Sequence, residues 1–267
     1  IFEINVCLYL FLRTVNLQQS SFMEETMNNV PYSLRPFYTI FFSYSGLISS
    51  IYTPNFANIE NIKHAYDYII VGAGSAGCVL ANRLTENPLV KVLLLEAGGA
   101  ENIVNSVPFF ANMLQRSSVD WKDKTTSQKS AARGMVKNQI TMPRGKIIGG
   151  SSAINYNMYV RGNKKDFDRW EQEFGAKGWS WPHVFPYFIK QEDNHVSRSE
   201  TGYHGKGGPM TISIQPHSDH QEKLFIEAAA QMNQKVGDVN GAEQQQFSEI
   251  PSTIRNGSRC STGLAYL

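Results

Sequence analysis

The sequence predicts an α/β fold that opens on a parallel βαβ unit, and three observations carry that expectation. Tyr68 to Val71 is a short run of apolar, largely β-branched residues, the pattern of a buried parallel strand. Gly72, Gly74 and Gly77 follow at once as G-x-G-x-x-G, and Ser75 to Thr85 continues with helical character. A second apolar run, Val92 to Leu95, ends in the acidic Glu96 about 20 residues past the last glycine.

Each residue of that unit has its own expected task. Gly72 permits the tight turn, Gly74 lets backbone approach a pyrophosphate, and Gly77 allows close packing of helix on strand. The positive start of the helix at Ser75 faces phosphates. A carboxylate at Glu96 accepts hydrogen bonds from ribose hydroxyls and repels a 2′-phosphate. The unit is therefore read as Rossmann-like and dinucleotide-binding, with FAD and NAD both open at this point. FAD-binding chains often add a small residue four positions after the third glycine and another glycine seven later. Ala81 meets the first requirement and Pro88 does not meet the second.

Composition sets the outer limits. The chain has 267 residues, 42% hydrophobic and 18% charged, which suits one large or two ordinary globular domains. A net charge of +2 with no basic stripe excludes a nucleic-acid partner. No stretch supplies the roughly 20 continuous apolar residues of a membrane-spanning helix. Cys7, Cys78 and Cys260 make neither a disulfide framework nor a metal site, and Cys78 reads as a small buried residue of the helix. Residues 1–64 differ from the rest and read as an N-terminal extension. Within them Phe37 to Ile51, preceded by Arg35, resembles a signal-peptide core, which favours a secreted product over the alternative of a helix packed on the domain surface. Asn256-Gly-Ser258 is a glycosylation sequon.

Farther along, Pro143-Arg-Gly-Lys-Ile-Ile-Gly-Gly-Ser-Ser-Ala-Ile-Asn155 describes backbone that comes close to something large. Gly149 and Gly150 remove side chains that would block a flat ring system, and Ser151, Ser152 and Asn155 supply short donors and acceptors at a turn or helix start. Phe167, Trp170 and Phe174 recur at helical spacing, which predicts an amphipathic helix with its aromatic stripe on the core. Pro182 starts another helix in which Val184, Phe185 and Phe188 are buried, and Trp179 and Trp181 pack in preference to lining a cavity. Asn112 to Asn138 lacks a clear period and reads as a surface loop over the cofactor entrance. His204, in a Gly-rich turn before the strand Met210 to Ile214, is structural; His217 and His220 lack a third metal ligand, so no metal site is expected.

These pieces together resemble the glucose–methanol–choline (GMC) family of FAD-dependent oxidoreductases. Gly145 to Asp168 is similar throughout to that family's first signature, and the resemblance extends from Tyr66 to Leu267. It includes Cys78-Val-Leu-Ala-Asn-Arg-Leu84, Asp120-Trp121, Gly178-Trp179, His204-Gly205, Gly208-Pro209 and Arg259 to Leu267. The wording of the 78–84 stretch is most like the insect, quinone-accepting branch. The resemblance implies FAD as cofactor, held by Gly72, Gly74, Ser75 and Gly77 at the pyrophosphate and by Glu96 and Ala97 at the adenosine ribose. Arg144, Lys146, Gly149, Gly150 and Ser151 would pass along the cofactor, with Ser152, Asn155 and Met158 toward the flavin. Where some members carry a histidine bonded to flavin this chain has Ile154, so dissociable FAD is expected.

The implied activity is oxidation of the CH–OH group of an alcohol or sugar, with electrons passed to a quinone or other acceptor. In the family the catalytic histidine and the second signature come later than anything in these 267 residues. The stretch 65–267 is accordingly read as the FAD-binding region with the start of an α+β substrate domain. The C-terminal half of the family fold is missing from it, no catalytic residue is assigned, and alone it is expected to be inactive. The alternative is a short isoform that binds FAD without turnover.

Overall fold

The structure, a computed structural model, describes residues 7–9, 65–215 and 220–267. The leader read at Phe37 to Ile51 and the residues His217 and Asp219 lie outside the described residues. In chain order the elements are β1 (Cys7–Tyr9), β2 (Tyr68–Val71), α1 (Ser75–Leu84), β3 (Val92–Glu96), α2 (Ile103–Ser106) and α3 (Ala111–Leu114). There follow β4 (Asp123–Lys124), β5 (Thr141–Met142), α4 (Lys164–Gln172), α5 (Trp181–Gln191), β6 (Glu192–Asn194) and β7 (Met210–Ile212). The series closes with α6 (His220–Gln231), β8 (Ile254–Arg255), β9 (Ser258–Arg259) and α7 (Thr262–Tyr266). The chain divides into two compact units, one formed by residues 1–156 and 261–267, the other by 157–260.

The first unit holds the expected βαβ arrangement. Strands run parallel in the order β1-β3-β2, with Tyr68 opposite Val92 and Val71 opposite Leu95. Helix α1 is the crossover, and its Ala81 and Cys78 are buried. The Cys78 thiol donates to the Ala73 carbonyl at 3.1 Å, and burial pushes its pKa up to about 11, so it is a structural residue as expected. Strand β3 is buried along Val92, Leu93 and Leu94.

Strand β2 corrects one expectation. It is parallel but not buried: Ile69 is 63% and Val71 83% exposed. Ile70 faces α1, whereas Ile69 and Val71 point to the opposite face. A parallel strand is covered on both faces only where helices pack on both, and among the described residues only the α1 side of β2 is packed.

The stretch read as a surface loop also proves to be built. Its N-terminal part is α3, and Leu114, Ser117 and Asp120 are buried. Strands β4 and β5 pair antiparallel, Lys124 opposite Thr141. The period was missed because the ordering element is a side chain, not a periodic face. Asp120, only 3% exposed, accepts from the backbone N–H groups of Arg116 (2.7 Å), Lys122 (3.1 Å) and Arg144 (2.8 Å). One carboxylate thus closes the loop onto the segment that leads into Gly145. Beneath it Val104, Phe110, Leu114, Ile147, Ala153 and Ile154 form the unit's hydrophobic cluster.

In the second unit α4 and α5 form as expected, with Pro182 in the first turn of α5. The aromatic stripe, however, is not a buried core. Phe167 packs against Trp170 (5.0 Å between ring centroids), Trp181 (5.5 Å) and Phe188 (5.7 Å). Trp170, Trp179 and Phe174 stay exposed, Phe174 at 72%, and Val184, Phe185 and Phe188 are half-buried. Helix α4 ends at Gln172, and Gly175 with φ +69° turns the chain away, so Phe174 falls past the helical face it was assigned to. Strands β6 and β7 pair parallel, and β8 and β9 form a hairpin whose tip, Asn256 and Gly257, has φ of +51° and +80°.

His204 is the centre of this unit's polar interior. Its Nδ1 lies 3.2 Å from Glu192 Oε2 and its Nε2 2.6 Å from Asp238 Oδ2, while Glu192 also pairs with Arg161 at 2.5 Å. Burial alone would lower the His204 pKa; hydrogen bonds to Asp238 and Glu192, with their charges, overcome it and raise it to about 9. The flanking glycines are steric necessities. A Cβ on Gly205 would sit 2.0 Å from the Ile189 carbonyl oxygen, and one on Gly208 2.5 Å from the Gln191 carbonyl carbon.

The sign of the resulting pH dependence follows directly. His204 contributes its full stabilisation below its ordinary value near 6.5 and loses it as pH rises through about 9. The urea midpoint of the parent should therefore fall between pH 7 and 9.5. In His204→Gln the unfolding free energy should be lower at pH 7, by roughly 2 kcal/mol, and the midpoint should vary less across that window. An unchanged slope in the variant would show that other groups set the alkaline limit.

Candidate functional site

The site is built in the first unit from backbone outward. Gly72 leaves β2 with φ +99° and its N–H donates to the Leu95 carbonyl at 2.7 Å, holding the two strand ends together. A Cβ on Gly77 would lie 1.9 Å from the Gly72 oxygen, so the helix can follow the turn only with glycine there. Gly74 differs: nothing lies within 4 Å of its missing Cβ. It caps α1, which has neither a side-chain cap nor an acidic residue in its first turn. The amides of the first turn of α1 therefore have no partner from the helix, and Ser75 is exposed beside them.

Glu96 ends β3 and spans the turn. Its Oε2 accepts from Ala73 N–H and its Oε1 from Gly98 N–H, each at 2.7 Å. The carboxylate is oriented by these bonds and keeps further lone pairs on both oxygens. Ala97, next in the chain, is exposed.

The second glycine motif packs directly on the first. Gly149 donates to the Ala73 carbonyl at 2.8 Å, and a Cβ on Gly150 would approach Gly74 Cα to 2.8 Å. Both residues are left-handed, at φ +86° and +55°. Ile148 donates to Gly99, and Gly98 comes so near Lys146 that a Cβ would lie 2.0 Å from its carbonyl carbon. Residues 150–153 make the expected short helix start, here a 3₁₀ turn. The Gly149–Gly150 pair thus has a steric explanation inside the protein, in backbone meeting backbone.

Most of the site residues expected from sequence converge here. Gly72, Gly74, Ser75, Gly77, Glu96, Ala97, Lys146, Gly149, Gly150, Ser151 and Ser152 all belong to the converging turns. The Lys146 ammonium sits 4.9 Å from the Trp121 ring centroid, and Ser151 Oγ accepts from Gly145 N–H. Ser152 Oγ donates to Gly149 O at 2.6 Å. Arg144 and Asn155 lie in the same unit with exposed side chains, whereas Met158 belongs to the second unit. Sequence reading missed Glu101, Ser261, Thr262 and Asp120. Asp120, Ser261 and Thr262 had been noted only as parts of matching segments, without a role, and Glu101 carries no local pattern.

A strand–glycine turn–helix–strand unit with an uncapped helix start and an oriented carboxylate defines a Rossmann-like nucleotide-binding class of fold. Residues 66–267 match the family model for GMC oxidoreductases, and the chain belongs to that family. It is 38% identical over 206 residues to the glucose dehydrogenase [FAD, quinone] of Drosophila pseudoobscura pseudoobscura, covering 76% of this chain and 33% of that protein. It is 38% identical to the mitochondrial choline dehydrogenase of Homo sapiens over 216 residues, 77% of this chain and 35% of that one. Among solved structures, pyridoxine 4-oxidase from Mesorbium loti superposes with a TM-score of 0.65 at 33% identity, over 76% of this chain and 39% of that one. The chain spans about a third of the length of the curated relatives it matches.

Two glycines that look alike in sequence separate on substitution. Gly77→Ala should cost roughly 4 kcal/mol or leave no soluble protein, because its methyl meets the Gly72 carbonyl. Gly74→Ala, with φ −74° and open space, should unfold within about 0.5 kcal/mol of the parent. Equal melting curves for the two variants would contradict this.

Proposed function

We propose that this chain carries the FAD-binding part of an oxidoreductase whose whole protein oxidises the CH–OH group of an alcohol or sugar and hands the electrons to a quinone or similar acceptor. The uncapped start of α1 carries the reading: no side chain caps the helix, no acidic residue stands in its first turn, and a Cβ on Gly74 would meet nothing within 4 Å. Backbone amides at Ser75 to Gly77 would take the pyrophosphate, and Glu96, aligned by Ala73 and Gly98, would accept the ribose hydroxyls. Lys146, Gly149, Gly150 and Ser151 would line the path of the cofactor, Arg144 adding charge, and Ser152 and Asn155 would lie toward the flavin. Bound flavin supplies a two-electron acceptor for the hydride. The names of the relatives, a FAD and quinone-linked glucose dehydrogenase among them, support the same assignment.

Ile154 is buried and aliphatic, so nothing at that position tethers the flavin. His183, His195 and His204 are engaged by Glu171, Asp193, and the pair Glu192 and Asp238 respectively, and none is assigned as the base that takes the hydroxyl proton. We therefore assign residues 65–267 cofactor binding and not turnover.

Titration of the purified 267-residue chain with FAD, followed by quenching of flavin fluorescence, should saturate, and excess FAD should raise the melting temperature. Gly74→Ala should abolish quenching while keeping the fold, and Glu96→Gln should weaken it about tenfold. Acid precipitation should release all flavin. Absence of both quenching and thermal stabilisation at high FAD would end this assignment.

A further inference from the structure

The first unit is completed by a segment that returns after the whole of the second: residues 261–267 follow residues 157–260 in sequence but belong with 1–156. Helix α7 packs on α1 and on the Gly150–Ala153 turn, and so touches both glycine motifs. Its far end is tied to α1 by Asn82 Nδ2, which donates to the Tyr266 carbonyl at 2.7 Å. Its near end carries the polar contacts that matter here.

Gly149 and Gly150 occupy consecutive left-handed positions. Glycine permits that conformation without preferring it, so something must select it. The Gly149 peptide is held at both ends. Its N–H is bound by Ala73, and its carbonyl accepts from Ser152 Oγ at 2.6 Å and from Thr262 Oγ1 at 3.2 Å. Ser152 Oγ in turn accepts from Thr262 N–H at 3.0 Å and lies 2.8 Å from Thr262 Oγ1. With the Ser152 proton on Gly149 O, Ser152 Oγ accepts from Thr262 N–H, and the single Thr262 hydroxyl proton lies between Ser152 Oγ and Gly149 O. The array is buried, Thr262 being 8% and Ser261 0% exposed. Behind it, Ser261 Oγ donates to Glu101 Oε1 and accepts from Leu264 N–H at 3.0 Å, which caps α7. Gly263 closes the fit: a Cβ there would stand 2.5 Å from Glu101 Oε1 and 3.2 Å from Gly149 N.

We infer that Thr262, backed by Ser261 and Glu101, is a positioning residue of the nucleotide cradle, holding Gly149 and Gly150 against Ala73 and Gly74 from outside both glycine motifs. The inference deepens the FAD reading above and rests on it for the identity of the ligand. Buried hydroxyl bonds of this kind hold geometry because the alternative, an unpaired carbonyl, is costly. The cradle is thereby complete only when the chain has come back from residue 260.

Thr262→Val keeps the shape and removes the hydroxyl, and Thr262→Ser restores it. In the full 267-residue chain, the Kd for FAD should rise about tenfold in Thr262→Val and return to within twofold of the parent in Thr262→Ser. A residue that only stabilises the fold would lower the melting temperature of Thr262→Val and leave Kd, measured well below it, unchanged. That result, or equal loss in both variants, overturns the inference. Amide hydrogen exchange separates it from the ligand assignment: faster exchange at Gly149 and Gly150 in Thr262→Val but not in Thr262→Ser supports positioning even if FAD does not bind the parent. Unchanged exchange refutes positioning whichever nucleotide binds. Should Thr262→Val not fold, Ser152→Ala tests the same array from its other side, with the same rise in Kd and in exchange expected.

Discussion

Everything in the first unit depends on peptide backbone meeting peptide backbone without an intervening Cβ. The β2–α1 turn, the end of β3, and residues 145–150 come together at Gly77, Gly98, Gly145 and Gly150, where a single added carbon would fall within 3 Å of main-chain atoms. Backbone groups are hydrogen-bonding as well as close, so this contact is also a network: Gly72 to Leu95, Gly149 to Ala73, Ile148 to Gly99. Side chains could not substitute, because any of them would hold the turns farther apart and leave these amides and carbonyls unpaired. Of the glycines in the two motifs, Gly72 and Gly74 have open space where a Cβ would stand, and of these two only Gly74 lacks a positive φ that by itself calls for glycine.

That contrast organises the electrostatics. Where the turns touch one another, donors and acceptors are consumed internally. Where they open, at the start of α1, the helix dipole and first-turn amides are left without a cap, and the acidic residue that could have capped them is instead Glu96, placed across the turn. A carboxylate fixed by Ala73 and Gly98 cannot swing onto the helix start and neutralise it. The arrangement therefore keeps the positive end of a helix and an oriented carboxylate on neighbouring parts of one turn, the pairing on which the proposed dinucleotide assignment rests.

How much of this could be read in advance follows from the range of the interactions. The βαβ unit was legible because its signals are local: β-branched runs, G-x-G-x-x-G, and Glu96 at the strand end. The pairing of Gly149–Gly150 with Gly74 was legible only as a need for closeness, and the sequence reading named a flat ring as the neighbour where the structure places backbone as well. The burial of β2 and of the α4 stripe was misjudged because alternation and helical spacing report which face is apolar, not what packs on it; Ile69, Val71 and Phe174 are apolar and exposed. Asp120 and Thr262 lie in segments that the sequence reading matched, but their roles were not legible, for a different reason. Each acts through contacts to backbone groups that no side-chain pattern announces, Thr262 across more than a hundred residues.

The return of the chain at Ser261 has a consequence for how the site forms. The contacts of α1 with β2 and β3 close over short sequence distances and can form early, whereas those of α7 require that residues 157–260 first bring their two ends together. Loop closure of that length costs only logarithmically more than a short one, so the delay is affordable in free energy but slow in time. Arg161, Glu192, His204 and Asp238 are paired among themselves inside the second unit, so the excursion is a compact unit and not an open loop. A polar core of paired charges often contributes less to net stability than an apolar one of equal volume, and removing one partner leaves a buried charge uncompensated. The unit that carries no part of the glycine turns thereby lowers the entropy that α7 must overcome to reach Gly149, and the geometry of the cradle comes to rest on residues far from it in sequence.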